Sequence, residues 1–142
     1  MFRIELMSWD EARAKASPIR FTVFVEEQRV PIEIEWDDQD VKSLHALAYS
    51  DAGDAIATGR LLPDGHIGRM AVLKQWRGKG VGGAILERLI GVARERGDHR
   101  IELFAQTHAL EFYRSHGFVE FGQTFEEAGI PHQAMRRRLS EK

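Results

Sequence analysis

Apolar and polar residues alternate at the start of the chain. Ile4 and Leu6 are set against Arg3 and Glu5, so residues 2–7 (FRIELM) predict a strand. The period changes over residues 17–28 (SPIRFTVFVEEQ), where Ile19, Val23 and Phe24 fall on one face at helical spacing. Ser17 is placed to cap that helix and Pro18 to take its first position. Residues 31–40 (PIEIEWDDQD) are acidic and predict a solvated loop. Three strand-like runs follow, at 44–50 (LHALAYS), 55–62 (AIATGRLL) and 66–73 (HIGRMAVL). The links DAGD and PDG between them carry turn residues that favour antiparallel hairpins.

The clearest helix is 82–97 (GGAILERLIGVARERG), with Ile85, Leu89 and Val92 along one face and Gly97 as its stop. A short strand at 100–105 (RIELFA) and a helix at 108–117 ended by Gly117 come next. FVEFGQTF and QAMRRRL then predict closing strands around the turn EEAGIPH. Strands first, then helices mixed with strands, predict an α+β fold in one domain spanning residues 1–142. In the terminal strand, alternation points Arg137 away from Arg136 and Arg138, so this run reads as charge guarding an exposed edge. A free terminal strand allows a homodimer.

Composition narrows the function classes. The 142 residues are 43% hydrophobic and 30% charged with a formal net charge of -2, which lacks the basic excess of a nucleic-acid binder. Cysteine is absent, which excludes disulfides, thiolate catalysis and cysteine-ligated metals. No apolar run approaches the roughly 20 residues needed to cross a bilayer. The stretch MFRIELMSWDEARAK lacks the basic start and apolar core of a signal peptide. A soluble, cytoplasmic protein with neither membrane nor nucleic-acid partner is expected.

The stretch AVLKQWRGKGVGGAIL (71–86) places Gly78, Gly80, Gly82 and Gly83 where the helix should start. A glycine inside a helix costs about 1 kcal/mol relative to alanine. A Walker A loop is excluded because Lys79 is followed by Gly80. Gly78, Gly80 and Gly83 match the dinucleotide fingerprint literally, with Glu102 near the position of a ribose-binding acid. The preceding meander and the short remainder of the chain argue against that fold. A helix N-terminus opened for an anion is chemically coherent: unpaired N–H groups and the positive end of the dipole face the ligand. Arg77 and Lys79 add charge at its mouth. Flexible capping of an ordinary helix is the bland alternative.

The run Arg77-Gly78-Lys79-Gly80-Val81-Gly82 matches the R/Q-x-x-G-x-G/A motif of the GCN5-related N-acetyltransferase (GNAT) family. GRMAVLKQWRGKGVGGAILERLI resembles that family's strand-loop-helix core, and ALEFYRSHGF its next helix and strand entry. FVEEQRVPIEIEWDDQD and EEAGIPHQAM resemble the ElaA-like branch. The resemblance implies a mostly antiparallel central sheet of six to seven strands flanked by helices, with two strands splayed at the cofactor. It implies acetyl-CoA as cosubstrate, an amine as acceptor and no metal.

Carried onto this chain, the resemblance places pantetheine against the backbone of Met70 and Val72, with Ala71 between them. The diphosphate falls on Arg77, Gly78, Lys79, Gly80, Val81, Gly82 and Gly83. Phe112 would line the arm, or simply pack in the core. Tyr113 would act as an acid toward the departing sulfur, or sit at an amphipathic core edge. A backbone N–H at or beside Val72 would polarise the thioester carbonyl. Glu26, Glu27, Asp37, Asp38, Asp40, His45, Glu102 and His108 are candidate bases, and none is singled out. The implied activity is acetyl transfer to a primary amine of a small molecule or peptide; the alternative is a CoA-binding regulatory or structural module without turnover.

Overall fold

In the computed structural model, which describes residues 1–35 and 37–139, β1 (Phe2–Met7), β2 (Leu44–Ser50), β3 (Ala55–Leu61) and β4 (Ile67–Val72) form an antiparallel sheet in chain order. A second sheet holds β5 (Arg100–Gln106), β8 (Ile130–Arg138) and β6 (Val119–Glu120), with β7 (Phe125–Glu127) also paired to β8. The sheets meet through a parallel bridge from His66 to Glu102, where the Glu102 N–H donates to the Gly65 carbonyl at 3.1 Å. From that joint β4 and β5 diverge.

Alternation along β2 shows how both faces of the first sheet are covered. Ala46 and Ala48 pack with Ile85, Leu86, Leu89 and Ile90 of α3 (Val81–Glu95), while Leu47 and Tyr49 pack with Ala12, Ala16 and Ile19 of α1 (Trp9–Arg20). The larger cluster continues into the second sheet through Ile101, Leu103, Ala105 and Met135. Among the described residues, no helix is long and apolar enough to cross a membrane.

The first helix begins at Trp9, not at Ser17, and Pro18 lies inside it. Its buried apolar stripe is Ala12, Ala16 and Ile19, continued by Val23 in the segment that follows, and alanines signal a helical period weakly. After Pro18, which lacks the N–H that α-winding needs, the helix widens into a π-helical segment at Phe21–Glu27. The Gln28 N–H closes it on the Val23 carbonyl at 3.1 Å.

Two further expectations are corrected. The acidic segment contains a helical turn, α2 (Ile32–Glu35), and a 3-10 turn at Asp40–Lys42, and it is not simply solvated. Glu35 and Asp40 are each 5% exposed because arginines from elsewhere neutralise them. The terminal strand β8 is not a free edge either, since it runs between β5 and the β6–β7 segments. Its arginines therefore need a different explanation from edge protection. Arg136 lies over the Phe121 ring at 4.3 Å and Arg137 donates to the His116 carbonyl at 2.9 Å. The edge that was to carry a homodimer is occupied by the chain itself.

Candidate active site

Divergence of β4 from β5 starts at a bulge. The register between β3 and β4 shifts between Thr58 and Arg60, and Arg69 adopts φ +50°. Beyond it the Leu73 N–H donates to the Ile56 carbonyl at 3.0 Å. Alternation along an antiparallel ladder then turns Val72, and next to the bulge Met70, toward the gap, whereas Ala71 pairs with Thr58. The gap opens into a cleft of about 1670 Å³ that runs from the start of α3 to the aromatic face of β5.

The glycine loop feeds α3 into this cleft. Gly78 and Gly80 have φ +77° and +85°, the left-handed region that L side chains rarely adopt. The first intrahelical bond is Ala84 N–H to the Gly80 carbonyl at 3.1 Å, so the N–H groups of Val81, Gly82 and Gly83 precede the helical ladder, and Gly80 supplies no side-chain cap. A side chain at Gly82 would meet Val72 at 3.4 Å and Phe112 at 3.8 Å; one at Gly83 would meet the His116 ring at 3.2 Å. Met70, Ala71, Val72, Arg77, Gly78, Gly80, Val81, Gly82, Gly83 and Phe112 all line the cleft, and Lys79 is exposed outside the lining. Arg77 does not stand free at the mouth: its guanidinium donates to the Val72 carbonyl at 2.9 Å and to Glu27 at 2.5 Å.

On α4 (Leu110–Arg114), Tyr113 lines the same cleft. Its ring meets Phe112 and Phe118 edge-on, at centroid distances of 5.0 and 6.1 Å. Burial pushes the phenol up to about 12, so it keeps its proton throughout the physiological range.

The candidate bases separate cleanly. Glu27, paired with Arg77, and His108, in the turn Thr107–Ala109, line the cleft. Glu26, Asp38 and Glu102 do not line it. His45 is 1% exposed with Trp9 against its ring at 4.8 Å; burial pushes its pKa down, and Nε2–H donates to the Asp40 carbonyl at 2.9 Å. Asp37 and Asp40 belong to a network of three carboxylates and three guanidinia. Arg20 binds Glu35 and Asp40, each at 2.8 Å; Arg60 binds Asp37 at 2.8 Å and Asp40 at 2.9 Å; Arg69 binds Asp37 at 3.0 Å. Burial alone would raise both aspartates, but the arginines win and hold them below the ordinary carboxylate range. This network anchors the bulge through Arg69 and leaves its aspartates unfit as bases.

Sequence reasoning missed several groups that line the cleft. Gln28, at the end of the π-helical segment, and Gln106, at the end of β5, exchange amide hydrogen bonds of 3.4 and 2.8 Å, forming a crossbar over the diverging strands. His116, which binds Glu87 at 2.6 Å, and His132 line it too. Only proximity in space connects residues 78 positions apart; the two glutamines carry no motif.

Comparison with known proteins agrees with this architecture. Residues 12–139 match the model of the acetyltransferase (GNAT) domain family. The chain is 39% identical over 132 residues to YjcF of Bacillus subtilis, an uncharacterised N-acetyltransferase, covering 90% of this chain and 94% of YjcF. Against ElaA of Escherichia coli it is 32% identical over 129 residues, covering 85% of this chain and 84% of ElaA. The crystal structure of ElaA superposes with a TM-score of 0.86 at 27% identity over 97% of this chain and 100% of that one. An acyl-CoA N-acyltransferase from Pseudomonas aeruginosa superposes with a TM-score of 0.85 at 30% identity over 96% of this chain and 99% of that one.

Proposed function

The chain belongs to the acetyltransferase (GNAT) family, and from that premise we propose that it moves the acetyl group of acetyl-CoA to a primary amine of a small molecule or peptide by direct attack. The observation that carries the proposal is the edge of β4 beyond the His66–Glu102 bridge, which no strand pairs among the described residues, leading into the open N-terminus of α3. The Val72 N–H, its carbonyl being held by Arg77, and the Met70 backbone are offered to the amide-rich pantetheine arm as a strand edge offers them to a peptide. The N–H groups of Val81, Gly82 and Gly83 face the diphosphate, and Gly78 and Gly80 let the main chain approach it. Phe112 walls the arm. The backbone N–H of Val72 or of its neighbour polarises the thioester carbonyl.

Tyr113 acts on the departing sulfur. An ordinary thiol has a pKa of about 8.5, well below the value of about 12 to which burial raises the phenol. The departing thiolate is therefore the weaker base, and Tyr113 stabilises it as a hydrogen-bond donor without giving up its proton. Within this proposal the protein works in the cytoplasm as one domain, on acetyl-CoA and an amine.

Calorimetry with acetyl-CoA tests the cradle. The protein is expected to bind it and to be stabilised by about 2.7 kcal/mol at a hundredfold excess over Kd, while NAD leaves the melting temperature unchanged. A Cβ at position 80 meets no neighbour within 4 Å, but a valine there is forced to φ +85°, a strain of about 1–3 kcal/mol, and its side chain shields the N–H groups. Gly80→Val should therefore keep its circular dichroism spectrum and lose acetyl-CoA binding. Intact affinity in that variant would overturn the cradle. Acetylation assays over polyamines, amino acids, aminoglycosides and short peptides then identify the acceptor; binding with no acetylation anywhere would leave a CoA-binding module instead.

A further inference from the structure

His132 has one ring nitrogen committed to a hydrogen bond within its own strand. It is 9% exposed and lines the cleft. Its Nδ1 lies 2.7 Å from the Ile130 carbonyl, which can only accept, so Nδ1 carries the hydrogen and Nε2 of the neutral ring carries the lone pair. Nε2 has no hydrogen-bond partner among the described residues. Phe125 stacks on the ring at a centroid distance of 5.6 Å and holds its plane.

Strand register sets where that lone pair sits. From the His66–Glu102 bridge β5 runs parallel to β4, so Gln106 at its end lies at the height of the β4 bulge and the residues just after it, and Gln106 pairs directly with His132. His132 thus stands two strands from the unpaired edge of β4, at the height of the thioester in the proposed mechanism. Leu103, Ala105 and Met135 face the core that Tyr113 packs against. Gln106 and His132, one residue out of step, face the other side of the sheet. The cleft passes between the two faces, with Tyr113 on one side and His132 on the other.

We propose that His132 is the general base of the transfer, its Nε2 taking a proton from the acceptor amine on the face of the sheet opposite Tyr113. This rests on the acetyltransferase reading above. The amine nitrogen bonds to the carbonyl carbon as its N–H proton passes to Nε2. The C–S bond then breaks, the electron pair stays on sulfur beside the Tyr113 hydroxyl, and the imidazolium returns its proton to solvent, from which the thiolate is protonated. On the strands packed against His132 the ionisable groups are Arg100 and Glu102 of β5, Glu120 of β6, and Glu126 and Glu127 of β7. Only Glu127 of these lines the cleft, joined by His108 from the turn after β5.

His132→Asn tests the assignment, because the asparagine amide can still donate to Ile130 while no basic nitrogen remains. Rates are read with the best acceptor of the amine panel, or with water in the slower hydrolysis of acetyl-CoA. We expect kcat to fall about a hundredfold with KM for acetyl-CoA and the melting temperature unchanged. The acidic limb of the kcat/KM profile should lose one unit of limiting slope, and added imidazole should restore part of the rate of His132→Ala. Wild-type rate in His132→Asn, or a lower rate with the slope unchanged, overturns the proposal; so does loss of the slope in His108→Asn alone. A wild-type protein that neither acetylates an amine nor hydrolyses acetyl-CoA removes the acetyltransferase reading, and this assignment with it.

Discussion

Tyr113→Phe is expected to lower kcat by roughly 10²–10³-fold, the usual cost of removing one donor from a developing negative charge, while acetyl-CoA binds as before. The substitution deletes one oxygen and leaves the ring in its edge-on contacts with Phe112 and Phe118. Affinity and folding therefore provide internal controls. The pH profile supplies a second readout. Since burial holds the phenol at about 12, the donor is present at every pH below that value and is lost only as pH rises through it. The wild-type rate should climb as the acceptor amine loses its proton and then stay level to about pH 10. A falling limb centred below pH 10 that vanished in Tyr113→Phe would show the phenol ionising too early for a donor. Unchanged kcat in the variant would remove Tyr113 from the mechanism.

The largest effect on stability should come from Arg20→Met. Arg20 is 2% exposed, and its guanidinium neutralises Glu35 and Asp40, which are each 5% exposed. Methionine fills similar space but leaves two buried carboxylates short of a partner, a loss of about 3–5 kcal/mol. For a domain of this size that lowers the melting temperature by roughly 10–20 °C. Replacing Arg20, Glu35 and Asp40 together with apolar residues should cost less, because no charge is then stranded. A loss below about 1 kcal/mol in Arg20→Met would show that Arg60 and Arg69 carry the network without it. The network also sets the acid limit. Asp37 and Asp40 have folded pKa values below the ordinary 3.8, and His45 below 6.5. In each case the unfolded chain binds the proton first, so stability is full above the unfolded value and falls with pH on the way to the folded one. Denaturation midpoints should start to drop below pH 6.5 and drop again below pH 3.8.

Legibility in the sequence followed the range of the interactions involved. β2, β3 and β4 could be read because period-two alternation and turn residues are local. The glycine loop could be read because left-handed backbone at Gly78 and Gly80, and the close approach of Val72 and His116 to Gly82 and Gly83, exclude side chains, and four glycines at a helix start record that demand. The start of α1 was hidden because Ala12 and Ala16 bury completely yet hardly register as hydrophobic. The acidic segment was misread because Arg20 and Asp40, or Arg60 and Asp37, lie 20 and 23 residues apart and meet only in the fold. His132 was hidden too, because the sequence reading put it in the turn EEAGIPH whereas β8 begins at Ile130. Only the observed strand sets it opposite in facing to Met135, and a single histidine says nothing about which nitrogen is free.

The π-helical segment at Phe21–Glu27 makes part of this site sensitive to number more than to kind. Ordinary winding advances about 100° per residue. A π-helical segment already holds one residue more than α-winding would over the same path, so losing one lets the coil relax with its flanks nearly in place. A further residue inserted there would instead swing Glu27 and Gln28 by about that angle, away from Arg77 and Gln106. Many substitutions along the outer side of this segment should pass unnoticed, whereas a single-codon insertion would uncouple the glycine loop from the crossbar while leaving both sheets intact.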